Sequence, residues 1–169
     1  MATLHWTTRP ERPDDAEAVR HVNLSAFGRT DEADLVDRLR EDPGWENLSL
    51  VAVDGADRPV GHALLTRCHI DGAPALALAP CAVVPEHQRT GAGSAAILAA
   101  LEAARERGEQ AVVVLGHPEY YPRFGFERAA GFGVRVDFEV PDEALMVLGL
   151  RRDGTIPAGT VHYARAFGL

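Results

Sequence analysis

Apolar and polar residues alternate from Leu4 to Thr8, the period of a short strand. The spacing then changes. Val19, Val22 and Ala26 share one helical face, so a helix is expected from near Ala16, with Asp14 or Asp15 offering an N-cap oxygen and Gly28 ending it. Leu35, Val36 and Leu39 predict a second helix, capped by Thr30 and stopped at Pro43-Gly44. Strands are expected over Leu48 to Val53, Val60 to Ile70 and Ala75 to Val84, joined by turns at Asp54-Gly55 and Asp71-Gly72. Two such hairpins make an antiparallel meander. The third strand is apolar on both faces and carries Pro80, which cannot donate a ladder hydrogen bond and so marks a bulge or a parting from a neighbour.

A long helix follows from Gly91 to Arg107, with Ile97, Leu98, Leu101 and Ala104 inward and Gly108 as its stop. Ala111 to Leu115 reads as a buried, parallel-type strand. A short helical turn carries Tyr120 and Tyr121 and closes at Phe124-Gly125-Phe126. Late strands are expected over Val134 to Val140 and Leu145 to Leu150, and a terminal one over Val161 to Phe167. The order describes a mixed α/β sheet, mostly antiparallel and parallel only around the third helix. No linker or repeat divides the chain, so residues 1–169 are expected to form one domain.

Composition narrows the function classes. The formal net charge is −8, which disfavours general binding to nucleic acid or an anionic membrane and mildly favours cationic substrates such as amines. Cys68 and Cys81 form no C-x-x-C pair and read as reduced core thiols. Met1 to Pro10 lacks the pattern of a signal peptide, and the longest apolar stretch, Ala73 to Val84, is too short to span a bilayer. A cytoplasmic location is expected.

The segment that carries chemistry runs from Val83 to Ser94. A buried strand ends, a polar loop follows, and a helix begins at Gly91 and Gly93. The first N–H groups of a helix lack internal partners and sit at the positive end of its dipole. Glycines let an anion approach them, which describes a phosphate cradle. A Walker A loop needs Lys after its last glycine, and Gly93 is followed by Ser94-Ala95. The G-x-G-x-x-A spacing fits a dinucleotide fingerprint, but the glycines follow an antiparallel meander and the next strand ends in Gly116 with no acid for a ribose.

Gln88-Arg89-Thr90-Gly91-Ala92-Gly93 resembles the pyrophosphate motif Q/R-x-x-G-x-G/A of the GNAT N-acetyltransferase superfamily, and Val83-Val84-Pro85-Glu86 stands before it as in that family. Tyr121 to Phe126 resembles the family's Tyr-x-x-x-Gly-Phe element. Leu115 to Phe126 matches a branch with a Leu-Gly-x-Pro-x-Tyr-Tyr-x-x-Phe-Gly-Phe signature. The resemblance spans about Leu4 to Leu150. It implies a GNAT-like fold whose central sheet splays at an acyl-CoA cleft, and transfer of an acetyl group from acetyl-CoA to a primary amine by direct attack. A non-catalytic acyl-CoA-binding module of the same fold is the alternative. No metal is expected.

The resemblance also implies roles. Backbone groups of Cys81, Ala82 and Val83 would line the pantetheine arm and polarise the acetyl carbonyl. Gln88, Arg89, Thr90, Gly91, Ala92, Gly93 and Ser94 would hold the pyrophosphate. Tyr121 would protonate the departing thiolate, while Tyr120 packs or contacts substrate. Cys81 reads as a small buried hydrophobe rather than a nucleophile. No acid stands in Ala75 to Pro80 to act as base, which leaves His69, His117, Glu119 or water. His62 and His69 should face opposite sides of their strand. The acceptor pocket would be roofed by the first two helices, with Phe27, Arg29, Glu32 and Trp45 as candidates. The acceptor could be a small molecule or a peptide amine, and a homodimer is left open.

Overall fold

The computed structural model describes residues 5–169. The elements are β1 (Thr7–Pro10), α1 (Ala16–Phe27), α2 (Asp31–Arg40), β2 (Trp45–Val53), β3 (Pro59–Ile70), β4 (Ala73–Val83), α3 (Ala92–Glu106), β5 (Ala111–Leu115), β6 (Glu127–Arg128), β7 (Val134–Arg135), β8 (Leu145–Gly149) and β9 (Gly159–His162). The sheet runs β1-β2-β3-β4-β5-β8-β6, with β9 joining β3 beyond that path. Only β4–β5 is parallel along it, as the long crossover through α3 requires. A second parallel contact, β7 with β9, was not foreseen.

Neighbouring residues of β3 show how the layers stack. Gly61 faces the α3 side: a Cβ there would come within 3.3 Å of the Ala92 carbonyl oxygen. His62, pointing the other way, meets Asn23 of α1. The sheet is therefore sandwiched between α3 and the α1–α2 pair. The buried stripe of α3 is mostly alanine, with Ile97 and Leu101 as its large members. Leu98, expected inward, is 54% exposed, because it lies about 100° around the helix from Ile97.

Several other local expectations shift. Thr7–Pro10 replaces the strand expected over Leu4 to Thr8, of which Leu4 lies outside the described residues. Neither Asp15 nor Thr30 caps a helix through its side chain. The Asp15 carboxylate instead takes the Arg9 guanidinium at 2.5 Å and the Arg12 N–H at 2.7 Å. β2 begins at Trp45 through a bulge, with Asn47 in the left-handed region at φ 58°. Val134 to Val140 is strand only at its first two residues. The terminal strand covers Gly159–His162, and a short helical turn occupies Arg165–Phe167.

β4 matters most for the site. It stays bonded to β3 along its length, but its register with β3 slips between Leu78 and Cys81, where Pro80 falls. It pairs with β5 only at Leu76–Val112 and Ala77–Val113. Beyond Ala77 the two parallel strands part, and the gap between them opens toward the start of α3.

Candidate active site

The gap is a cleft of about 860 Å³. One wall is the freed end of β4, Cys81, Ala82 and Val83. Its neighbours are Gln88, Arg89 and Gly93 from the glycine loop, and Ala26 and Phe27 from the end of α1. His117, Glu119, Tyr120, Tyr121 and Arg123 come from the turn after β5. Alternation along β4 decides which peptide groups face inward. The Val84 N–H donates to Val60 O across β3, so Ala82 also points to β3 and the peptide groups of Cys81 and Val83 point to the cleft. The Val83 carbonyl accepts a bond there from Gln88 Nε2 at 3.1 Å.

The glycine loop has the backbone geometry of an anion cradle. Arg89 and Gly91 both lie at positive φ, 64° and 89°, which turns successive N–H groups toward one concavity. The first helical bond of α3 is Ala95 N–H to Gly91 O at 2.9 Å, so the amides of Gly93 and Ser94 are left free, as at any helix start. The loop is pinned from behind. Trp6 donates its indole N–H to Thr90 O at 3.1 Å, and its ring meets His87 edge to face at 5.2 Å. The Thr90 hydroxyl donates to His87 O. Thr90 thus fastens the loop with its side chain, and the Ala92 side chain is buried; both offer the cradle only backbone.

Both tyrosines of the turn enter the cleft. Tyr121 packs edge to face with Tyr120 and with Phe126. Its hydroxyl lies beside the Cys81 thiol, and burial, with Cys81 adding to it, pushes its pKa well above the ordinary phenol value. The hydroxyl therefore stays protonated at neutral pH. Burial also pushes the Cys81 thiol up to about 12, which makes it a poor nucleophile. Tyr120, expected to point elsewhere, shares a hydrogen bond of 3.1 Å with Ser94 Oγ at the first turn of α3. Its ring packs against Phe124, 5.4 Å between centroids.

The remaining candidates divide. Phe27 lines the cleft, whereas Arg29 and Glu32 pair with each other at 2.6 Å on the surface. Trp45 lies under the Arg40 guanidinium at a separate small pocket. His117 and Glu119 are 3.9 Å apart at the cleft and largely exposed. His69 sits away from the cleft, in register with His162 of β9.

Sequence reasoning missed the polar chain beneath the cleft wall. Asn23 Nδ2 donates to Val19 O at 3.0 Å and to His62 Nδ1 at 3.1 Å. His62 Nε2 must then carry the proton and donate to Ser49 Oγ at 2.8 Å, and Ser49 donates to Glu11 at 2.8 Å. Arg40 closes the chain on the Glu11 carboxylate. Nothing local marks these residues, because they come from five separate parts of the sequence. Among the described residues no group of three His, Cys, Asp or Glu could hold a metal ion, and no helix is long and apolar enough to cross a membrane.

Known proteins share these features. The Acetyltransferase (GNAT) family profile matches residues 16–132. The chain is 39% identical over 148 residues to the uncharacterized N-acetyltransferase YjhQ of Escherichia coli, covering 85% of this chain and 82% of that protein. The E. coli YhbS crystal structure in complex with CoA superposes with TM-score 0.91 at 31% identity, covering 100% of this chain and 95% of that one. A GNAT acetyltransferase from Brucella melitensis in complex with acetyl-CoA gives TM-score 0.80 at 31% identity, covering 96% and 98%. An anion cradle beside a splayed parallel pair, and a sequence match across most of the length, lead to one conclusion: the chain belongs to the GNAT family of N-acetyltransferases.

Proposed function

We propose that this protein transfers the acetyl group of acetyl-CoA to a primary amine by direct attack, with Tyr121 as the proton donor to the leaving sulfur. The observation that carries the reading is the convergence of three features in one cleft: the cradle-shaped loop at α3, the freed peptide groups of β4, and a half-buried, protonated tyrosine. Pyrophosphate would lie on the amides of Gly93 and Ser94, with the pantetheine arm along Cys81 to Val83. The thioester would then reach the Cys81–Tyr121 end.

The neutral amine adds to the thioester carbonyl, forming the C–N bond and an oxyanion. The Cys81 N–H, which has no partner strand on that side, is the donor placed for this charge; such donors are a strong catalytic term. Collapse breaks the C–S bond, and the Tyr121 hydroxyl protonates the sulfur. β4 offers no acid between Ala75 and Pro80, so the proton lost by nitrogen passes to solvent, directly or by way of His117 and Glu119 at the cleft. The phenolate regains a proton before the next cycle. The two unpaired thiols, Cys68 and Cys81, support a reducing, cytoplasmic setting.

The test is thiol release from acetyl-CoA over a panel of primary amines, followed from pH 7 to 9. Rates should rise with pH as the neutral amine accumulates. Falling rates with the fold intact contradict direct attack. Binding of CoA without turnover on any amine would favour the non-catalytic module.

A further inference from the structure

The chain is acidic, at −8, yet the family's cofactor is a polyanion. The cleft must therefore supply its own positive charge. Two arginines line it, Arg89 in the glycine loop and Arg123 on the tyrosine turn. Among the described residues neither has a carboxylate within ion-pair distance, whereas Arg9, Arg20, Arg40, Arg67 and Arg107 are all paired. The acids nearest in sequence to Arg123 are Glu119 and Glu127, and both are exposed.

Arg123 is held in place despite its exposure. Its guanidinium carbon stands 4.2 Å over the centre of the Tyr120 ring. Its Nε donates to Tyr120 O at 2.8 Å. Both terminal nitrogens are left without a protein acceptor among the described residues. The far end of the same ring is tied to the cradle through Ser94. A Cβ at Gly93 would sit 3.8 Å from the Tyr120 hydroxyl. Arg123 thus presents a free, oriented fork across one tyrosine ring from the pyrophosphate amides, at the solvent side of the cleft.

Coenzyme A carries phosphate at two places. The pyrophosphate suits the amides and dipole of α3. The second, the 3′-phosphomonoester on the ribose, lies further from the thiol, toward solvent. It is a dianion with three terminal oxygens, the partner that an arginine fork matches best. We infer that Arg123, seated on Tyr120, binds the 3′-phosphate of coenzyme A and sets a preference for CoA over 3′-dephospho-CoA. The inference rests on the acetyl-CoA reading given above.

Calorimetric titration with CoA and with 3′-dephospho-CoA tests it without any acceptor amine. The unsubstituted protein should bind CoA more tightly by roughly tenfold, as expected for one solvent-exposed charge-assisted contact. Arg123→Gln should erase that preference by weakening CoA alone, and Arg123→Lys should keep part of it. Equal affinity of the unsubstituted protein for both ligands overturns the inference. So does an Arg123→Gln protein that loses the same factor on both. Failure of the unsubstituted protein to bind either ligand would instead remove the acetyl-CoA reading on which it stands.

Discussion

The Tyr121 ring occupies the space where Gly116 would carry a side chain: a Cβ there would lie 2.3 Å from Tyr121 Cε2. Gly116 follows β5 directly, so the strand end and the tyrosine turn can close on each other only without a side chain at this position. Gly116→Ala should displace the Tyr121 ring and lower turnover at least tenfold, since a misplaced catalytic group is costly even at small displacements. CoA affinity should change far less, because the cradle lies on α3. Steady-state kinetics beside a CoA titration separates the two. Normal turnover in Gly116→Ala would show that the ring's position is not critical.

Tyr121→Phe isolates the hydroxyl, since the ring and its packing against Tyr120 and Phe126 remain. Loss of a positioned acid costs about 100–10,000-fold, and thiolate is already a fair leaving group, so a loss near 100-fold is expected. The effect should fall on kcat. Tyr120→Phe should instead raise the KM for acetyl-CoA, because its hydroxyl bonds Ser94 beside the cradle. The reverse pattern would exchange the two roles.

Gly93 faces Val83 across the cleft, and a Cβ on it would stand 3.0 Å from Val83 Cγ2. Gly93→Val should fill the approach to the cradle. In the unsubstituted protein, acetyl-CoA at a hundred times its Kd should add about 2.7 kcal/mol, or roughly 5–10 °C in Tm. The variant should lose that shift while its ligand-free Tm stays close to the original. A full ligand-induced shift in Gly93→Val would take the cradle out of the binding account.

Burial lowers the pKa of His62 from 6.5 to about 4, with Glu11 and Arg40 acting in opposite senses on it. The unfolded chain therefore binds a proton near pH 6.5 that the folded protein refuses until about pH 4. Stability from this group is complete above pH 6.5 and drains away as pH falls through that interval, by up to roughly 3 kcal/mol. Urea midpoints for the unsubstituted protein should drop between pH 7 and 4.5, and His62→Gln should flatten part of that fall. Parallel pH profiles for the two proteins would mean that His62 is not the group responsible.

The parts that could be read in advance are those whose cause is local. Asp54-Gly55 and Asp71-Gly72 gave the meander, and Gly28 and Gly108 ended their helices at left-handed φ. The glycine loop before α3 was likewise legible as a helix start, because Gly91 and Gly93 leave its first amides accessible. What could not be read depends on partners far along the chain. Asp15 looked like a helix cap, but Arg9 claims its carboxylate. Trp6 gave no sign that it would fasten Thr90, 84 residues away. Tyr120 read by sequence as packing or contacting substrate, because its bond to Ser94 exists only once the turn after β5 has come beside α3.

The parting of β4 from β5 has a thermodynamic consequence. Because β4 is paired with β3 again from Cys81 to Val83, the gap is held open by the sheet itself. A ligand entering there would have no strands to separate. Association should then be fast, insensitive to slow conformational equilibria, and matched by small differences between the empty and occupied backbones. On the cleft side the Cys81 peptide group has no neighbouring strand, and the Val83 carbonyl takes only the Gln88 amide at 3.1 Å. Part of the sheet's hydrogen-bonding capacity is thus left over, and on the proposed reading the pantetheine amides of the cofactor would complete the ladder as a surrogate strand.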